Sequence, residues 1–163
     1  MKRLIALISL ALCAAAVPLA ARAQLPVQPA ADQAALLKSA DPQLAANKKL
    51  VYDFWREVFE AGHMELADKY MAESYVQHNP NVPTGRAAFV AFFTQYVKPK
   101  AIQPTVQAPV VTIVAEGDKV IISLVRTTAD PKDASRKSTT TWFDMFRIEN
   151  GKIAEHWDCA PKE

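Results

Sequence analysis

The period of the apolar residues changes near Pro104, and this constrains the chain's fold more than any other feature. Before it, Leu44, Val51, Phe54, Val58 and Phe59 recur at helical spacing, and Leu50 and Trp55 widen the stripe. Asp41-Pro42 is a start signal, with Asp as N-cap and Pro at the first helical position, and Gly62 is a stop. A short helix is expected over residues 64–71 and an extended segment over 72–79, ending at Asn79-Pro80. Thr84 caps a third helix over 85–96, with Phe89, Phe92, Phe93 and Tyr96 inward. After Pro104 the chain reads as strands: 106–115, 119–128, 137–148 and 152–159, separated by Glu116-Gly117-Asp118, Asp130-Pro131-Lys132-Asp133 and Glu149-Asn150-Gly151. About three helices followed by an antiparallel meander give an α+β fold, the helices packed on one face of a sheet.

The first residues read as an export signal. Met1-Lys2-Arg3 is basic, residues 4–19 are apolar, and Ala21-Arg22-Ala23 has small residues where a signal peptidase cuts. The apolar run is short for a membrane span. Residues 1–23 are therefore expected to be removed, leaving a periplasmic or secreted protein with no membrane association. Loss of Lys2, Arg3 and Arg22 takes Lys plus Arg from 19 to 16 against 17 acidic residues, a net charge near −1. Nucleic-acid binding wants a strong basic bias and is not expected. Cys13 falls within the signal and leaves Cys159, read as a small buried filler, with no disulfide partner. Residues 24–40, with Pro26 and Pro29, read as a mobile lead-in to one domain over 41–163.

The last strand, Lys152-Ile153-Ala154-Glu155-His156-Trp157-Asp158, carries charge where apolar residues are expected. Alternation puts His156 and Asp158 on one face and Ile153, Glu155 and Trp157 on the other. A carboxylate and an imidazole on one face are candidates for proton transfer. A two-residue Asn150-Gly151 turn would place Asp144 opposite Trp157. The preferred reading is a three-residue loop with a bulge at Gly151, which pairs Ile148 with Lys152. Asp144 then opposes His156, Trp142 opposes Asp158, and all four share a face with Phe146, Ile148 and Ala154. The other face, with Phe143, Met145 and Trp157, is too apolar for solvent, and a homodimer through the sheet is expected to cover it.

Tyr75-Val76-Gln77-His78-Asn79-Pro80 with Gly85, and residues 143–153 leading into Glu155-His156-Trp157-Asp158, make the chain resemble a known group. That group is the SnoaL-like branch of the nuclear-transport-factor-2-like, ketosteroid-isomerase-like superfamily, and the resemblance covers roughly residues 45–160. It implies a cone-shaped α+β barrel with a cavity at its open end, and an acid/base carboxylate at Asp158. The position that is often His in polyketide cyclases is Asp144 here. The substrate is therefore not carried over with the site.

If the chain is an enzyme, Asp158 is the candidate base for a carbon acid. Enolisation, aldol condensation, cyclisation or isomerisation could follow. Asp144 would be a second carboxylate or a protonated donor, and His156 a proton shuttle. His78 completes the catalytic candidates. Trp142, Tyr52, Trp55 and Asn79 are candidates for contacting a small apolar or carbonyl-containing ligand. No local metal motif and no phosphate-cradling glycine loop is present, so neither a metal nor a cofactor is expected. The competing reading is a non-catalytic periplasmic ligand-binding or accessory protein using the same cavity.

Overall fold

A computed structural model describes residues 25–162, and the expected export signal lies outside them. Among the described residues no helix is long and apolar enough to cross a membrane. The elements run α1 (Gln33–Leu36), α2 (Pro42–Phe54), a π-helical segment (Trp55–Glu60), a 3₁₀ turn (Met64–Leu66) and α3 (Ala67–Tyr70). There follow β1 (Met71–Gln77), α4 (Arg86–Phe93), β2 (Val110–Glu116), β3 (Lys119–Asp130), β4 (Asp133–Glu149) and β5 (Lys152–Asp158).

The long amphipathic helix starts as its sequence dictates. Asp41 accepts from the N–H groups of Gln43 and Leu44, and Pro42 occupies the first turn. Its last turns widen into the π-helical segment, a feature that often accompanies functional sites. Gly62 ends it at φ +75°, where a Cβ would lie 2.7 Å from the Lys98 carbonyl oxygen. Only glycine fits there. Thr84 does not cap α4 as expected: Gly85 occupies the cap, and the Thr84 hydroxyl accepts from Gln77 N–H instead.

The five strands order as β1-β5-β4-β3-β2 in one open sheet. Strands β2 to β5 form the expected antiparallel meander, and β1 adds to β5 in parallel. The helices lie over one face, and the core between them is built on Phe54, Tyr70, Phe89 and Phe146. Phe54 meets Tyr70, Phe89 and Phe146 at ring separations of 6.0 to 6.2 Å, so one side chain of α2 joins α3, α4 and the sheet. Both sheet edges are engaged. Ala30 N–H donates to Val110 on β2, and Gly85 N–H to Tyr75 on β1, which removes pairing sites that would invite another chain. Residues 25–40, read as mobile, thus carry bonds to the fold, and Gln33 also donates to the Val106 carbonyl.

The β4–β5 hairpin departs from the preferred register. The turn is the two-residue Asn150-Gly151 form, both residues at positive φ, with Glu149 opposite Lys152. The extra residue sits further along, between the pairs Ile148–Ile153 and Arg147–Glu155. Both Ile153, expected on the outer face, and Ala154 are buried there. Beyond this bulge Phe146 opposes His156, and Asp144 opposes Asp158 rather than His156. The observed register differs from the expected one by two residues, so each later side chain keeps its face and changes its partner.

Candidate functional site

A cavity of about 240 Å³ opens between the helices and the inner face of the sheet. Its walls are aromatic: Trp55 and Phe59 from the π-helical segment, Phe92 and Phe93 from α4, and Tyr75 and Phe146 from the sheet. Trp55 and Phe59 lie 4.8 Å apart, ring to ring, so the widened turn presents them side by side. The polar end is made by Gln77, Asn79, Asp144, His156 and Asp158.

Asp144 and Asp158 face each other directly across β4 and β5. Like charges in that position oppose sheet formation. Asp158 accepts from Asn79 Nδ2 at 2.6 Å and from Ala160 N–H at 2.9 Å. Asn79 also accepts from Asn81 N–H, so the turn that follows β1 fixes the amide against Asp158. Asp144 is buried, and burial first of all pushes its carboxyl above the usual carboxylate range, with the Asp158 charge adding to the effect. Its hydrogen bond to His156 works in the other direction. The Asp144 Oδ2 atom is buried without a hydrogen bond, as is the indole nitrogen of Trp55 in the cavity wall.

The hydrogen bonds fix the tautomer of His156. Backbone Asn79 N–H donates to one side-chain atom of Gln77, which must therefore be the oxygen. That same Oε1 lies 2.8 Å from His156 Nδ1, so Nδ1 carries a proton. His156 Nε2 faces Asp144 Oδ1 at 3.0 Å, and one proton lies between them. Gln77 Nε2 donates to the Tyr75 hydroxyl at 2.9 Å, which extends the chain to Tyr75-Gln77-His156-Asp144. Tyr75 is buried, and burial followed by the charges of Asp158 and Asp144 raises its phenol, which stays protonated.

The structure brings together Asp158, Asp144, His156, Asn79 and Trp55 and places the other candidates elsewhere. His78 faces away from the cavity, stacked on Trp157 at 4.6 Å, with Nε2 3.0 Å from Glu155. Alternation from Gln77, which turns inward, sends it there. The Tyr52 hydroxyl donates to Gln33 and accepts from Val106 N–H, so it holds the lead-in rather than lining the cavity. Trp142 is outside the lining, with the Arg126 guanidinium 4.7 Å over its ring. Its indole lies close enough to favour the ionised form of Asp144 without reaching hydrogen-bond geometry. Cys159, expected to be buried, is exposed.

Sequence reasoning missed Tyr75 and Gln77 as site residues. Alternation from the expected strand over 72–79 would have put both on one face, but nothing in the sequence assigned that face to the cavity. Donor atoms of Asp144, His156 and Asp158 lie within 4.8 Å of one another, close enough to hold a cation. In this structure the atoms already meet each other, Gln77, Asn79 and Ala160.

The SnoaL-like domain model matches residues 51–156, and the chain belongs to that family. No curated characterised protein matches the sequence. Among solved structures, a candidate SnoaL-like polyketide cyclase from Jannaschia sp. CCS1 aligns with TM-score 0.51 and 16% identity, over 73% of this chain and 88% of that one. A candidate polyketide cyclase from Acidithiobacillus ferrooxidans aligns with TM-score 0.50 and 16% identity, over 75% and 90%. An LEH-like epoxide hydrolase from M. tuberculosis aligns with TM-score 0.50 and 12% identity, over 72% and 80%. At these identities the likeness is one of fold: an α+β cone of the nuclear-transport-factor-2-like kind, built here on an open mixed sheet.

Proposed function

We propose that this protein binds a small carbonyl compound in the aromatic cavity and acts on it as a carbon-acid enzyme, with Asp158 as general base. One observation carries the reading: two carboxylates oppose each other across β4 and β5 at the polar end of an apolar cavity. Stability alone does not favour that pair. Asp158 takes a proton from the carbon beside the substrate carbonyl. The C–H electron pair moves into the new C=C bond, and the carbonyl becomes an enolate. The Tyr75 phenol and the proton held between His156 and Asp144 are the available donors to the enolate oxygen. Return of the proton to the same carbon gives exchange, and to another carbon gives isomerisation. Attack of the enolate on a second carbonyl gives aldol addition or cyclisation.

Proton NMR in deuterated water tests this, with activated ketones and β-keto esters as substrates. Wild type should exchange the α-proton at least about 100-fold faster than Asp158→Asn. Exchange that survives in the variant would remove Asp158 as base. No exchange with any substrate would leave the cavity as that of a ligand-binding protein.

Two further parts of the reading concern place and assembly. Export follows from residues 1–23, and N-terminal sequencing of the secreted or periplasmic protein should begin at Gln24. Dimerisation through the outer sheet face is supported by the exposure of Phe143 and Val114, and light scattering would measure it.

A further inference from the structure

We infer that the cavity selects a ligand carrying a cationic nitrogen, a protonated amine or quaternary ammonium, over neutral and anionic ligands of the same shape. This names the ligand class of the cavity already described and rests on its binding a small molecule, not on its catalysing a reaction.

The charge balance comes first. Whether the shared proton sits on His156 Nε2 or Asp144 Oδ1, those two side chains sum to zero. Asp158 then leaves the polar end with a negative charge. No Lys or Arg is among the described residues that line the cavity. Elsewhere two partly buried carboxylates, Glu57 and Glu155, lie against cationic side chains, whereas Glu60 accepts from the backbone N–H groups of Gln107 and Ala108. Glu57 meets Arg56 at 2.6 Å and Lys69 at 2.9 Å, and Glu155 meets Arg147 at 2.6 Å and His78 at 3.0 Å. Among the described residues, Asp158 meets an amide and a backbone N–H. A carboxylate in an apolar cavity with no counter-charge is where a ligand cation gains most.

The walls make the same selection. Trp55, Phe59, Phe92, Phe93 and Phe146 offer ring faces and edges around the space beside Asp158. A cation close to such rings is attracted by their quadrupoles, most strongly where water is excluded. An anion would meet Asp158, the ring faces and no compensating charge. In size, the cavity of about 240 Å³ exceeds the ~150 Å³ that holds a benzene ring, so a phenyl group with a short head group fits.

Three probes share a phenyl body and differ in the head: phenethyltrimethylammonium, 4-phenylbutan-2-one and 3-phenylpropanoate. Binding to wild type and to Asp158→Asn would be followed by ligand-observed NMR. The ammonium should bind wild type at least about tenfold more tightly than the ketone, and the carboxylate should bind weakest. In Asp158→Asn the ammonium's advantage should fall to about twofold while the ketone still binds, which also shows that the variant is folded. A carboxylate that binds as well as the ammonium, no ammonium advantage in wild type, or no binding by any probe would overturn the inference. So would an advantage that survives intact in the folded variant. The wild-type ranking decides the matter even if the variant does not fold. Cation selectivity without α-proton exchange would sink the catalytic reading and leave this one. Exchange without cation selectivity would do the reverse.

Discussion

The two faces of the β4–β5 hairpin carry carboxylates in opposite circumstances. On the outer face, Glu155 lies between Arg147 and His78, at 2.6 and 3.0 Å. Those hydrogen bonds, from His78 first and Arg147 next, hold its carboxyl below the usual range. On the inner face, three residues further along each strand, Asp144 and Asp158 confront each other, and burial drives Asp144 the other way. The same two strands thus neutralise charge where water could have screened it and concentrate charge where water is scarce. A face built for stability would do the opposite. On the proposed function, the outer pairs belong to structure and the inner pair to chemistry.

The largest effect that could break this comparison is on Asp158. Asp158→Asn should lower α-proton exchange by about 10²–10⁴-fold. It should leave the melting temperature close to that of wild type, because relief of a like-charge pair offsets the loss of one acceptor for Asn79 and Ala160. A variant that loses activity only by losing stability would place Asp158 among the structural carboxylates.

Gln77→Leu comes next. It strips His156 Nδ1 and Asn79 N–H of their acceptor and Tyr75 of its donor. A cost of about 1–3 kcal/mol in urea unfolding is expected, since buried polar groups are left unpaired. Exchange activity should also fall, because the tautomer of His156 is no longer fixed.

Asp144→Asn sharpens the comparison through pH. A carboxyl raised in the folded state contributes most below its unfolded pKa of ~3.9, and that contribution is lost as pH rises through the folded value. Relative to wild type, Asp144→Asn should therefore gain stability between pH 4 and 7. Urea midpoints at the two ends check the sign. Glu155→Gln should show the smallest effect, with the opposite sign. Its lowered carboxyl contributes above ~4.3 and is lost as pH falls, so wild type and variant should converge in acid. Neither Glu155→Gln nor His78→Ala should change exchange, and a large loss from His78→Ala would overturn the division of the two faces.

Much of the fold and part of the site were legible in the sequence. The helical stripe from Leu44 to Phe59, the Asp41-Pro42 start and the β-branched runs after Pro104 are local signals, and each element stands close to where they place it. His156 and Asp158 share the inner face because a two-residue period is a property of the strand itself. The partner of Asp144 was not legible. The Asn150-Gly151 turn and an additional residue at Ile153–Ala154 together set the pairing, and a bulge depends on how both strands pack, not on the sequence of either. His78 and Tyr52 lie outside the cavity for a related reason. Residue type suggested chemistry, but direction came from β1 pairing with β5 and from the lead-in reaching Tyr52.

The sequence by itself determined the order of helices and strands and the shared face of His156 and Asp158. Periodicity, start signals and turn residues act over a few neighbouring residues, so they are written locally. Only the tertiary structure decided that Asp144 opposes Asp158, that Gln77 orients His156, and that the cavity has aromatic walls with no Lys or Arg among the described residues that line it. Those facts join residues as far apart in the chain as Gln77 and His156, and they exist only once the sheet is assembled and water has left its inner face.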